Sequence, residues 1–192
     1  MSKRLYVAYG SNLNICQMKH RCPTAKLYGT GEIKDYELQF KGHPDSAFAT
    51  IAPKEGASVP VAVWEIQPRD EMSLDRYEGY PTHYFKQNIP VQLGGEEVNA
   101  MVYIMNLKMG FGLPSPHYYQ TVHEGYNDCG LNTDVLDTAV KESAERFYSA
   151  YRQHNSQQTL FDTEDEDDFI SDEDEQNTDE DDSFYFSGGM QL

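Results

Sequence analysis

At 192 residues the chain has the length of one ordinary domain, enough to bury roughly 70% of the surface its unfolded form would expose. Its formal charge of −17 is unevenly spread: residues 157–192 hold fourteen acids and no Lys or Arg, leaving 18 acids against all 15 basic residues in residues 1–156, a body near −3. A near-neutral body has no basic surplus to release counterions, which excludes electrostatic nucleic-acid binding, and no segment approaches the roughly 18 consecutive apolar residues of a membrane span.

The N-terminus, Met-Ser-Lys-Arg-Leu-Tyr-Val, lacks the apolar region and small-residue cleavage site of a signal peptide. It runs straight into Leu5-Tyr6-Val7-Ala8-Tyr9, a short β-prone run ended by Gly10 and read as a buried strand. A helix is expected from about Asn14 to His20, capped by Asn12 or Asn14 and stopped by Cys22-Pro23. Short strands follow at Lys26–Tyr28, Tyr36–Phe40, Phe48–Ile51 and Val59–Ile66, separated by turns at Lys41–Asp45 and Pro53–Gly56.

Pro68 to Tyr77 reads as a helix capped by Asp70 and ended by Gly79 and Pro81. Gly94-Gly95 joins two further strands, Phe85–Leu93 and Val98–Ile104, as a hairpin. After a Gly/Pro loop from Gly110 to Pro116, residues 117–127 and 134–152 look helical, the second with a broad apolar stripe from Val135 to Tyr151. From Gln157 onward dense like charge and few apolar residues predict a disordered tail. Its interspersed aromatics (Phe161, Phe169, Phe184, Tyr185, Phe186) leave two readings, a solubilising appendage or a motif that recruits a protein partner. Cys16, Cys22 and Cys129 are odd in number and make no Cys-x-x-Cys pair, so the expectation is a cytoplasmic protein with reduced thiols.

Two features carry chemistry. A strand that breaks at Gly10-Ser11-Asn12 into a helix start leaves backbone N–H groups facing outward, and these donors with the helix dipole suit a carboxylate. Read alone, the same corner is equally an ordinary polar cap. Glu78 sits at the C-terminal end of its expected helix, where the dipole disfavours an acid and Tyr77, Tyr80, Tyr84 and Phe85 add desolvation. Such breaches of local consistency are enriched at functional sites, although a solvated last-turn acid is the plainer reading. His117 and His123 stand six apart, on different helix faces, and with Glu124 they make no metal site.

The ordered series Tyr6–Leu13, Asp35–Phe40, Phe48–Pro53, Val61–Ile66, Leu74–Pro81 and Pro114-Ser115-Pro116-His117-Tyr118 resembles the γ-glutamylcyclotransferase family, including its AIG2-like branch, over about residues 4–150. The resemblance implies a mixed α/β (α+β) fold, a small barrel-like, mostly antiparallel sheet flanked by helices, and a catalytic domain over residues 1–156. It implies that Ala8, Tyr9, Gly10, Ser11, Asn12 and Leu13 hold a γ-glutamyl group, with Tyr118 as a further contact and Tyr119 as its neighbour in an uncertain register. It also implies that Glu78 moves protons, so that a γ-glutamyl amine, peptide or side-chain-linked amide yields 5-oxoproline and a free amine without metal or cofactor. The alternative is a catalytically weak γ-glutamyl-binding domain whose acidic-aromatic tail recruits a protein.

Overall fold

The computed structural model describes residues 4–106 and 108–162, with side-chain surroundings to residue 155. The chain separates into two units, Met1–His154 and Asn155–Leu192. In the first, five strands close into a barrel: β1 (Arg4–Ala8), β2 (Lys26–His43), β3 (Ser46–Ile66), β4 (Tyr84–Leu93) and β5 (Glu96–Met105). Around the barrel the strand order is β1-β3-β2-β4-β5. Every pairing is antiparallel except that of β1 with β5, where Tyr6 meets Met101 and Val7 meets Val102. That parallel seam removes the last free edge, and alternate residues of all strands then point into one closed core. Val7, Ile33, Phe40, Ile51, Val63 and Val102 fill it, all essentially inaccessible to solvent.

Two of the expected breaks are absent. Lys26–Tyr28 and Tyr36–Phe40 belong to a single 18-residue strand, and Phe48–Ile51 and Val59–Ile66 to a single 21-residue one. The sequence Pro53–Gly56 is a bulge and not a turn: pairing jumps from Lys34↔Ser58 to Tyr36↔Pro53, and Asp35, at φ 59°, accepts the Gly56 N–H at 2.9 Å through its side chain. A bulge bends a long strand without ending it, which is how two long strands wrap a small barrel. The tight turn lies at Pro44-Asp45, between His43 and Ser46. The loop Gly110–Leu113 is tied to this hairpin tip by Gly42 N–H to Gly110 O and Ala47 N–H to Leu113 O, both 2.9 Å. The Gly94-Gly95 hairpin has both glycines at positive φ, as a tight two-residue turn requires.

Among the described residues there are four helices, α1 (Ile15–Arg21), α2 (Pro68–Glu78), α3 (Pro116–Asp128) and α4 (Asp134–Asp162), and those up to His154 flank the barrel within the first unit. Asn14 caps α1 by accepting the Gln17 N–H at 3.0 Å, and Ser115 caps α3 by accepting that of Tyr118 at 3.2 Å. The cap of α2 is Gln67, not Asp70: Asp70 is the third helical residue and accepts the Gln67 N–H at 3.0 Å, the return arm of a capping box. Gly79, at φ 63°, ends α2 in the left-handed conformation that any side chain would strain. This fixes Glu78 as the last residue of the helix.

On α4, Leu136 and Ala139 are buried against the barrel, whereas Tyr148 and Tyr151 farther along the apolar stripe are exposed. The helix runs to Asp162, past the Gln157 boundary of the expected tail, and the remainder of that tail lies outside the described residues. α3 crosses the short 3₁₀ turn Ser11–Leu13 at Gly125, where a Cβ would fall 2.5 Å from Asn14 N and 2.7 Å from Leu13 Cβ. Gly125→Ala should therefore force the turn outward and cost about 1–2 kcal/mol in denaturant unfolding, with the m-value unchanged.

Candidate active site

The site begins where β1 stops. Past Ala8 the chain leaves the sheet at Tyr9-Gly10 and winds into the 3₁₀ turn Ser11–Leu13. The turn's first bond runs from Leu13 N–H to Gly10 O at 2.9 Å, so the N–H groups of Ser11 and Asn12 come before it, at the open end of the turn. These residues and the end of α2 border one cavity, lined by Tyr6, Val7, Tyr9, Gly10, Ser11, Asn12, Ala49, Tyr77, Glu78, Tyr84, Tyr103 and Tyr118.

Glu78 reaches into this cavity. Its Oε1 accepts a hydrogen bond from Asn12 Nδ2 at 2.9 Å, and the same amide donates to the Tyr6 hydroxyl at 2.8 Å. Burial pushes the Glu78 carboxyl up to about 7, while the nearby Arg21 charge and the Asn12 hydrogen bond pull it back toward its ordinary value. A carboxyl poised there can both take and give a proton near neutrality. The helix-end position adds in the same direction, since the partial negative charge of the α2 C-terminus also disfavours ionisation.

The surrounding hydroxyls remain neutral phenols. Burial, with the negative charge of Glu78 next, raises the pKa values of Tyr6 and Tyr9 well above the ordinary phenol value, and burial likewise raises that of Tyr118. Each hydroxyl is held. Tyr9 donates to the Tyr103 carbonyl at 2.6 Å, Tyr84 to the Ala49 carbonyl at 3.0 Å, and Tyr118 accepts the Ala49 N–H at 3.2 Å. Ser11 Oγ and the Tyr77 hydroxyl lie 3.0 Å apart.

Of the residues singled out in the sequence, Tyr9, Gly10, Ser11, Asn12, Glu78 and Tyr118 come together at this cavity. Ala8 and Leu13 do not line it. Ala8 is paired with Ala62 inside the sheet, and Leu13 is wholly buried beneath α3 near Gly125. The register of the tyrosine pair is resolved: Tyr118 faces the cavity, and Tyr119 turns to Asp137 and the His123 ring. Of the four aromatics expected to desolvate the carboxyl, Tyr84 is half-buried in the cavity wall; Tyr77 also lines the cavity but, like Tyr80 and Phe85, is largely exposed.

Tyr6 and Tyr103 were not singled out, because in β1 and β5 they look like ordinary inward strand residues. Their signal is the tyrosine itself: a buried phenol needs a partner for its hydroxyl where phenylalanine would not. Tyr103 finds Asp75 Oδ1 at 2.6 Å, and Asp75 is in turn paired with Lys86 at 2.7 Å.

A small closed barrel thus brings one near-neutral carboxyl together with six tyrosines and a strand-to-turn loop of backbone donors around a single cavity. A model of the family described as Gamma-glutamyl cyclotransferase, AIG2-like, matches residues 6–125, and the chain belongs to that family. It is similar to the gamma-glutamylcyclotransferases of Bos taurus, 29% identical over 140 residues, and Homo sapiens, 29% identical over 137, covering 66% of this chain and 72% of each relative. A solved structure described as Gamma-glutamyl cyclotransferase superposes with a TM-score of 0.66 at 26% identity, covering 72% of this chain and 86% of that one. The mixed α+β fold expected from the sequence is the fold of this family.

Proposed function

We propose that the protein cleaves a γ-glutamyl amide into 5-oxoproline and a free amine, with Glu78 as the general acid and base. The observation that carries this reading is the Glu78 carboxyl, shifted to about 7 and held by Asn12 at 2.9 Å inside the cavity that the Gly10–Asn12 loop borders. It weighs against a catalytically weak binding domain, because an unneeded buried acid would destabilise the fold.

A γ-glutamyl group carries its own nucleophile. Its α-amine closes a five-membered ring on the γ-carbonyl carbon once the chain is folded back, a proximity effect that can be large. Glu78, as carboxylate, removes one proton from the α-ammonium. The nitrogen lone pair then forms the bond to the γ-carbon. In this reading the N–H of Asn12, with that of Ser11 beside the Tyr118 hydroxyl, binds the substrate's carboxylate or the γ-oxygen as it gains charge. Glu78, now protonated, delivers that proton to the departing amine as the C–N bond breaks, and returns to the carboxylate. The ring nitrogen loses its second surplus proton to the released amine, which ends as an ammonium, so the lactam keeps one N–H and atoms and charge balance with no water or cofactor consumed. Ser11, Tyr77 and Tyr118 shape the walls around the folded substrate.

The leaving amine is tested with a panel of γ-glutamyl amino acids, γ-glutamyl amines and γ-glutamyl-ε-lysine, following 5-oxoproline by mass. Absence of 5-oxoproline from every member would overturn the proposal. The pH profile gives a second check. Because the carboxylate is the active form in the free enzyme, kcat/KM should fall as pH drops through about 7. The limb for kcat should lie at lower pH, since a bound α-ammonium stabilises the carboxylate. Coincident limbs would mean that Glu78 does not face the ammonium.

A further inference from the structure

The geometry points to Arg21 as a positioning residue for the proposed reaction: its guanidinium sets which way the Asn12 amide faces, and thereby where the Glu78 carboxyl sits. Arg21 is the last residue of α1 and is absent from the cavity lining. Its Nη1 donates to Asn12 Oδ1 at 2.6 Å and its Nη2 to Gln17 Oε1 at 2.8 Å. Its plane also lies over the Tyr77 ring, 3.6 Å from the centroid, and the Tyr77 hydroxyl reaches Ser11 Oγ at 3.0 Å. One side chain thus braces both the loop wall and the helix wall of the site.

Donors and acceptors decide which way the Asn12 amide faces. An arginine has no acceptor, and an ionised carboxylate has no donor. Asn12 stands between them, so only one orientation of its amide satisfies both: carbonyl toward Arg21, NH₂ toward Glu78 and the Tyr6 hydroxyl. The flipped amide would set NH₂ against guanidinium and carbonyl against carboxylate, losing two charge-assisted hydrogen bonds. Without Arg21 the amide loses the partner that selects the working orientation. Lysine cannot replace the fork, because it lacks the planar pair of donors and the face that stacks on Tyr77.

Arg21 has a second effect on the same carboxyl. The groups that face Glu78 are Arg21 from α1, Tyr6 and Tyr9 from β1 and the loop after it, Tyr84 from β4, Tyr103 from β5 and Tyr118 from α3. The tyrosines are neutral, so the Glu78 titration reports the Arg21 charge.

The inference rests on Glu78 acting as proposed, and its test separates the two. The Glu78 midpoint is read without turnover, from the protonated-carboxyl infrared band that is lost in Glu78→Gln. Arg21→Met should move this midpoint up by about one pH unit and lower kcat on a γ-glutamyl dipeptide by about tenfold or more, with KM within about twofold. Arg21→Lys should return the midpoint close to that of the wild type while leaving most of the kcat loss in place. This variant keeps the charge and helix-end position, so it also reads the proposal if Arg21→Met does not fold. A midpoint indifferent to Arg21→Met, or a kcat restored to within about twofold by Arg21→Lys, would overturn the positioning role. A wild type inactive on every γ-glutamyl compound, with an Arg21-dependent midpoint, would instead overturn the proposed reaction.

Discussion

Glu78→Gln is expected to lower kcat for 5-oxoproline release by about 10²–10⁴-fold while changing KM by no more than about twofold. Glutamine keeps the length and an oxygen that can still accept from Asn12 Nδ2, so the loop and the amide bridge stay in place. What it lacks is any way to take a proton from the α-ammonium or to give one to the departing amine. Among the described residues that line the cavity no other group suits the two proposed transfers: the tyrosines are held as neutral phenols by burial, and Arg21, beside the cavity, is occupied by Asn12 and Gln17. Ring closure by proximity survives the substitution, which is why the residual rate should remain measurable above solution. The measurement is steady-state turnover by mass on the best substrate of the panel, with direct binding by calorimetry. A variant turning over within about tenfold of the wild type would remove Glu78 from the reaction.

How much of this was legible without coordinates differs between the two halves of the site. The loop's donors follow from local physics, since a strand ending at Gly10-Ser11-Asn12 has N–H groups to spare whatever surrounds it, but the resemblance was needed to tell a ligand site from a polar cap. From the residues themselves Glu78 was only an acid at the wrong end of a helix, and it was the family resemblance that gave it a role. That Asn12 and Glu78, 66 residues apart, share a hydrogen bond depends on α2 docking beside the 3₁₀ turn, and no residue pattern states that distance. Tyr6 and Tyr103 belong to strands that meet through the parallel β1–β5 seam, so their common destination follows from barrel closure and not from either strand's alternation. Arg21 was hidden more completely. At the C-terminal end of a short helix a basic residue fits the dipole so well that nothing prompts a further question. Conversely, Pro53–Gly56 carries a strong turn signal that the structure spends on a bulge, because Asp35 supplies the acceptor that keeps the two long strands together. Ala8 and Leu13 came with their motif, yet one is a sheet residue and the other a core plug under Gly125.

The same carboxyl should be visible in folding stability. In the unfolded chain Glu78 titrates near its ordinary value of 4.5, and in the folded protein near 7. Between those values the folded state binds more protons than the unfolded one, so stability falls as pH rises through this window. Below it both forms are protonated and the group costs nothing. Above it the full cost of a buried carboxylate is present. Glu78→Gln abolishes the titration, and constant effects of the substitution cancel when two pH values are compared. The variant should therefore gain about 2 kcal/mol on the wild type between pH 5 and pH 8, a relative rise in Tm of roughly 4–8 °C for a domain of this size. Glu37 provides the internal contrast. Its carboxyl, though partly desolvated, is lowered to about 2 by hydrogen bonds from Arg146, Lys54 and Gln39. Its contribution is therefore complete above the ordinary carboxylate range and is lost only as pH falls toward 2. Replacing Glu37 should destabilise the protein equally at pH 5 and pH 8, so the two substitutions have different pH signatures in the same thermal scans. If Glu78→Gln and the wild type keep a constant separation from pH 5 to pH 8, the carboxyl is not shifted, and a single group able to carry the proton in both directions at neutral pH is lost from the mechanism.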